Sequence, residues 1–306
     1  MNETISVVVP TYNSASSLST AIESIRSQNW ADLEIIVVDD GSSDDTPAAL
    51  NRLVGSDLRV IRQNNRGPGA ARNRGIEIAS GKWMAFLDAD DVWLPGKLEL
   101  QMSRLQSDPL SGFAYADSLR RAPDGAERMQ RPRRESENIF SDLLLGPQFD
   151  LSTVIVRRDC FDRIGLFAPE LRTGEDWDMW LRLSAFYRGC YLPRVLVVYH
   201  ISNDPRKYPL DIHERCQMRI LGRLFSDRKI AREWPQLSKY RSRIYSWHYA
   251  VLAKSRLYQK QPWGFLRLGA ASVFSHPMGL YFLARKWTEA KHWPILAGRR
   301  SEENLP

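Results

Sequence analysis

Glu34-Ile35-Ile36-Val37-Val38-Asp39-Asp40-Gly41-Ser42 sets an unbroken apolar run against a pair of acids and a turn. Four apolar residues without alternation describe a strand covered on both faces, the condition of a parallel sheet. Asp-Gly and the serine pair after it are ordinary turn formers. The acids therefore stand where a buried strand breaks surface. On the amino-terminal side, Ile5 to Pro10 is a second β-branched run, and Ser16 to Gln28 carries Leu18, Ala21, Ile22 and Ile25 at helical spacing. On the other side, Thr46-Pro47 predicts a helix start, Leu58 to Ile61 a third strand, and Gly69 to Ala79 a third helix closed by Gly81. Trp83 to Leu87 is a fourth strand. Strands that alternate with helices predict a doubly wound, mainly parallel α/β sheet flanked by helices.

Beyond Pro95 the pattern predicts a helix to about Leu105 and strands at Phe113–Ala116 and Thr153–Val156. It then gives a helix over Asp176–Ala185 and a last strand at Val195–Tyr199. Arg120 to Asn138 lacks periodicity and is rich in Arg, Pro, Glu and Gly, so a long mobile loop is expected there. From Leu210 the pattern is helical, and Trp263 to Trp287 reads as two helices broken at Pro277, docked on the domain or lying in a membrane interface. These boundaries predict a domain over 1–204 and a basic helical extension over 205–306.

The 306 residues carry a net charge of +7 that is unevenly spread. From Arg206 onward there are 20 Lys and Arg against 7 Asp and Glu; before it there are 23 against 29. An acidic front suits metal-binding carboxylates, and a basic back suits an anionic surface or simply a solvated one. Cys160, Cys190 and Cys216 are too few and too scattered for a disulfide framework or a zinc site, which favours a reducing compartment. No signal-peptide pattern precedes Ile5, and the expected location is cytoplasmic, with peripheral contact at the inner membrane face as an option.

Five constellations carry chemistry. Asp88-Ala89-Asp90-Asp91 follows a strand expected to be buried, at the strand ends where ligands of open α/β sheets bind. Crowded acids repel each other and call for a cation, and oxygen ligands suit Mg²⁺ or Mn²⁺; an acidic turn would use the same residues. Asp39-Asp40 ends the strand already quoted, where a carboxylate can accept from a base N–H or a ribose hydroxyl. Pro10-Thr11-Tyr12-Asn13 ends the first strand, with Tyr12 offering a face for a base. Neither a dinucleotide fingerprint nor a P-loop is present. Asn65-Arg66-Gly67-Pro68-Gly69 leads into a helix that carries Arg72, and helix N-termini and arginines favour phosphate. In Thr173-Gly174-Glu175-Asp176-Trp177, Asp176 is either a helix cap or, facing the cleft, a base for an acceptor hydroxyl.

In this order the motifs resemble glycosyltransferase family 2, whose fold is GT-A. The likeness is close over Ile5 to Lys97, thins through the middle, returns at Gly174-Glu175-Asp176 and is absent after about Asp204. The resemblance implies an enzyme moving a sugar from a nucleotide-diphosphate sugar to an acceptor hydroxyl, with inversion. It implies nucleotide-sugar contacts at Pro10, Tyr12, Asp39, Asp40, Arg72, Asp88 and Ala89. Asp88-Ala89-Asp90 would match the DXD motif, with Asp90 on the metal, and Asp176 would match the catalytic base. His200, after the last strand, stands where many members place a residue near the diphosphate and is a candidate metal ligand. The implied cofactor is Mn²⁺ or Mg²⁺, and the implied acceptor a glycan or lipid-linked glycan in cell-surface polysaccharide synthesis. Three other readings remain: a catalytically inactive donor-binding scaffold, a nucleotidyltransferase, and a nucleic-acid binder. The acids present, the missing glycine-rich phosphate loop and the missing nucleic-acid motif argue against them in turn.

Overall fold

A computed structural model describes residues 3–53, 55, 57–132, 139–202 and 209–284. The amino-terminal half runs β1 (Ile5–Thr11), α1 (Leu18–Arg26), β2 (Leu33–Asp39), α2 (Thr46–Leu53), β3 (Leu58–Arg62), α3 (Pro68–Ile78) and β4 (Trp83–Phe86). It continues through β5 (Val92–Trp93), α4 (Lys97–Ser107), β6 (Ser111–Arg121), β7 (Glu127–Gln130), α5 (Phe140–Leu143) and a 3₁₀ turn at Leu151–Thr153. Then come β8 (Ile155–Arg157), α6 (Cys160–Ile164), α7 (Glu175–Phe186) and β9 (Arg188–His200). The rest is helical: α8 (Leu210–Ser226), α9 (Arg228–Glu233), a 3₁₀ turn at Leu237–Tyr240, α10 (Arg241–Tyr258), α11 (Pro262–Ser275) and α12 (Gly279–Ala284).

One sheet holds all the strands in the order β3-β2-β1-β4-β8-β6-β9-β5, with β7 paired to β6. Strands β1 to β4 are mutually parallel, as the alternation predicted. Ile35 to Val38 are fully buried, so both faces of β2 are covered. The register sets Thr11 against Asp39 and Asp39 against Arg62, which brings the strand ends to one rim. Strand β8 runs antiparallel between β4 and β6, and β6 pairs in parallel with β9. Helix α3 lies so close to β1 that a Cβ on Gly75 would sit 2.4 Å from Val8 Cγ1. A glycine in mid-helix, costly by propensity, is thus what lets the helix reach the sheet.

Several expectations need correction. Arg120 to Asn138 is not loop throughout: β6 runs to Arg121, and an antiparallel hairpin through Asp124-Gly125 returns as β7. An Asp-Gly turn between pairing strands is a hairpin signal that the missing alternation concealed; 133–138 lies outside the described residues. Gly81 does not close α3, because Ala79 has already turned extended; its N–H donates to Ser6 Oγ at 2.8 Å, and a Cβ there would lie 2.6 Å from that oxygen. Thr46 begins α2, yet its hydroxyl accepts from Ser14 N instead of capping the helix. The strand expected from Thr153 starts at Ile155, behind the 3₁₀ turn.

The chain forms two compact units. One spans 1–139 and 147–207, and the other 140–146 with 208–306, so a short segment from the predicted first domain belongs with the helical extension. The predicted boundary at 204/205 falls outside the described residues. In the second unit, Trp247 Nε1 donates to Leu145 O at 3.0 Å, and Phe140 packs on Trp234 with ring centres 4.7 Å apart. The break near Pro277 separates α11 from α12 as predicted. No described helix is long and apolar enough to cross a membrane. All three cysteines are buried and free.

Candidate active site

The rim of β1 to β3 is laced by short polar contacts. Asn13 N donates to Ser42 Oγ at 2.9 Å, and Ser43 N donates to Asn13 Oδ1 at 2.8 Å, tying the loop after β1 to the loop after β2. Pro10 lies in β1, and Tyr12 beyond it is half exposed. Asp39 is buried; it accepts from Ser42 N at 2.9 Å and lies 3.5 Å from Arg62 Nε. A groove of about 640 Å³ beside it is lined by Gly41 and residues 62–65.

Asp40 is engaged by the protein itself. It is buried, and its carboxylate accepts from Gln63 Nε2 at 2.7 Å, Arg66 N at 2.9 Å and Gly67 N at 2.8 Å. Two amides of the turn before α3, Arg66 N and Gly67 N, in the stretch the sequence offered to a phosphate, are thus satisfied by a carboxylate of the protein itself. Arg72 is also committed: Nη2 donates to Asp88 Oδ1 and Nη1 to Glu175 Oε1, both at 2.7 Å, beneath the Phe167 ring. Burial works against its charge, but the two carboxylates outweigh that cost and raise its pKa. As placed, Arg72 joins two carboxylates across the cleft.

Asp88 and Asp90 are partly exposed, while Ala89 between them is buried in the core. This alternation sends both acids to the rim and leaves Ala89 only its backbone for a ligand. Asp91 is fully committed to the fold, accepting from Ser152 Oγ at 2.6 Å and from His200 N at 3.0 Å. Burial, and next the charge of Asp88, push its carboxyl well above the usual range. Through Asp91 the end of β9 is pinned to the acidic turn.

His200 Nδ1 lies 2.6 Å from the carbonyl oxygen of Asp90. A carbonyl can only accept, so Nδ1 carries the proton, and in the neutral ring Nε2 keeps its lone pair. That tautomer is the one a metal-ligating histidine adopts. Among the described residues no three His, Cys, Asp or Glu side chains converge as a ready cluster. A carboxylate on Asp90 and an imidazole nitrogen on His200 are donor types that Mn²⁺ or Mg²⁺ would accept beside waters and substrate phosphates.

Asp176 lies in the first turn of α7, after Gly174 has turned the chain through φ 73°. Its Oδ1 accepts from Trp177 N at 2.7 Å. Burial first, then the charge of Glu175, push its pKa up to about 7; Arg72 and the Trp177 amide resist, and Asp88 adds to the rise. A carboxylate poised there can hold a proton lightly enough to act as a base.

Sequence reasoning quoted Glu175 without giving it a role and missed Ser152, Arg120 and Asp150. Glu175 and Ser152 are joined to the acids by the contacts above. Arg120, read as loop, stands near the end of β6, gripped on two nitrogens by Asp150, which also accepts from Ser118 Oγ. It lies 5.3 Å from the centre of the Tyr199 ring, and one third of its side chain is exposed. Burial opposes its charge, Asp150 more than compensates, and Asp176 is near enough to favour it further. The only available signal was the i, i+2 spacing of Ser118 and Arg120, which is too short to stand out.

The model of the family described as Glycosyl transferase family 2 matches residues 6–165. The chain is 35% identical over 214 residues to the succinoglycan biosynthesis protein ExoO of Rhizobium meliloti, covering 64% of this chain and 60% of that one. It is 30% identical over 224 residues to an uncharacterized glycosyltransferase of Rickettsia conorii, covering 69% of this chain and 36% of that one. The chain thus spans only about a third to three fifths of these relatives' lengths. Among solved structures, S. aureus TarS 1–349 in complex with UDP-GlcNAc superposes with TM-score 0.61 at 16% identity, over 89% of this chain and 91% of that one. The mannosyltransferase PcManGT of Pyrobaculum calidifontis, in complex with GDP-Man and Mn²⁺, superposes with TM-score 0.61 at 19% identity, over 92% and 86%. At these identities the superpositions bear on the fold, which is that of GT-A proteins. With the family model covering more than half of the sequence, the chain belongs to glycosyl transferase family 2.

Proposed function

We propose that the protein is an inverting glycosyltransferase that moves a sugar from a nucleotide-diphosphate sugar to an acceptor hydroxyl. The observation that carries this reading is the bridge from Asp88 through Arg72 to Glu175, which sets the acidic turn and Asp176 around one buried cation. The nucleotide lies along the rim of β1 to β3, with its base against Tyr12 and within reach of Asp39. Asp176 takes the acceptor hydroxyl proton as that oxygen bonds to the anomeric carbon. The bond from this carbon to the diphosphate breaks on the opposite side, and the configuration inverts. The carboxylates Asp88, Asp90, Glu175 and Asp176 outnumber the cations Arg72 and Arg120, so a diphosphate entering here needs further positive charge. Mn²⁺ or Mg²⁺ held by Asp90 and His200 would neutralise charge on the departing diphosphate.

Similarity to a succinoglycan biosynthesis protein supports a polysaccharide or glycolipid setting, with a glycan or lipid-linked glycan acceptor met at the cytoplasmic membrane face. Calorimetric titration with UDP and GDP, each with Mn²⁺ and with EDTA, tests the donor site. Metal-dependent binding that Asp90→Ala abolishes is expected. Absence of binding to these and to the dTDP and CDP analogues would return the protein to a non-catalytic role.

A further inference from the structure

Helix α11 has two unlike faces. Leu268, Gly269 and Ser272 are buried, Leu268 packing with Leu252 and Ala253 of α10. On the opposite arc, Trp263 is 83% exposed, Leu266 55% and Phe274 89%, with Ala270 exposed between them. At 100° per residue these four positions and Arg267 fall within about 100° of arc, a strip some 16 Å long. Of the twelve exposed large hydrophobics among the described residues, seven lie between Leu257 and Tyr281. Singly exposed apolar residues are normal; a continuous stripe marks a contact.

The charge around the stripe identifies what it meets. From Trp234 to Thr288 the chain carries no Asp or Glu, yet nine Lys and Arg. Lys260 stands exposed at the head of α11, Arg267 lies within the stripe and pairs with Glu214, and Arg285-Lys286 follow α12 directly in the sequence. A tryptophan-led apolar stripe on a segment that has cations and no acids of its own, Glu214 of α8 being taken up by Arg267 and Arg256, matches an anionic lipid surface, where apolar side chains enter the acyl boundary and basic side chains meet headgroups. Nucleic acid would account for the bases but gives Leu266 and Phe274 nothing to bury against.

We infer that the exposed face of α11, built on Trp263, Leu266, Ala270 and Phe274, docks into an anionic lipid bilayer. This names the residues behind the membrane contact proposed for the acceptor and rests on that reading only for its biological purpose. Trp263→Ser with Phe274→Ser is the decisive variant, since both side chains are solvent-exposed and contribute little to folding. The full chain is sedimented with phosphatidylcholine vesicles, with and without phosphatidylglycerol, at low and high salt.

The wild type is expected to sediment with the anionic vesicles and to be weakened, not released, by salt. The double variant should lose at least about tenfold in partitioning. Three results would overturn the inference: no wild-type binding to anionic vesicles; binding that the double variant retains in full; or self-association that the variant loses without any vesicle binding, which would make a second copy the occupant. Nucleotide titration of the same samples separates the two proposals. Intact nucleotide binding without vesicle binding defeats only the membrane face, and the reverse defeats only the donor site.

Discussion

His200 donates from Nδ1 to the backbone carbonyl of Asp90 across 2.6 Å, so one end of the imidazole is fixed and the other is free to act. If Nε2 ligates a cation with Asp90, removing it weakens metal and nucleotide together. His200→Ala should lower Mn²⁺ affinity in the presence of nucleotide by about 10–100-fold. Titration of Mn²⁺ into the nucleotide-loaded protein checks this, and an unchanged affinity would reduce His200 to a strut.

Asp176→Asn should lower turnover by about 10²–10⁴-fold and leave nucleotide affinity nearly unchanged. In the wild type the base works only when ionised. Its pKa of about 7 therefore predicts a rate that climbs as pH rises through neutrality and then levels. Steady-state kinetics across pH 5 to 9 would show that limb, and the variant should lack it.

The same residue leaves a mark on stability. A carboxyl whose folded pKa lies above its unfolded value favours folding most below the unfolded pKa, near 4. That contribution is lost as pH climbs through the folded value of about 7. Asp176→Asn, which has no charge to bury, should melt with the wild type near pH 4 and at least about 2 °C above it at pH 8. Calorimetric melting at the two pH values decides the point.

Arg72 bears on both fold and chemistry. Arg72→Met leaves Asp88 and Glu175 without their shared cation, and breaking a buried pair from one side costs about 3–5 kcal/mol. Arg72 also holds down the Asp176 pKa, so any surviving activity should have its acid limb moved to higher pH. Urea unfolding and the pH–rate profile measure the two effects separately.

At Gly75, a methyl group would have to displace Val8 or the helix. Gly75→Ala should cost about 1–3 kcal/mol by overpacking, although alanine is the better helix former. Equal or greater stability of the variant in urea would mean that α3 can stand off from the sheet at no expense.

What could be read from the sequence follows from how local each signal is. Ile35 to Val38 and the acids after them declared a buried strand and its mouth because hydrophobic runs and turns are short-range patterns. The parallel half from β1 to β4 was legible for that reason. Strand β5, two residues long, depends on β9 far along the chain, and the local hairpin from β6 to β7 left no alternation to draw notice to its Asp-Gly turn. In the site, residue type singled out Asp88, Asp90 and Asp176 as candidates but not the direction each carboxylate faces. Asp39 and Asp40 look alike in sequence, yet the fold gives Asp40 three donors from residues 63–67, which no local pattern announced. Arg120 was invisible because its partner, Asp150, is thirty residues away.

The three hydrogen bonds that Asp40 gathers also have a thermodynamic consequence. They freeze the chain between β3 and α3 during folding, so the entropy of ordering it is not charged to the ligand. Along this stretch a donor would meet a finished surface. The free and nucleotide-bound forms should therefore superimpose from residue 63 to residue 67.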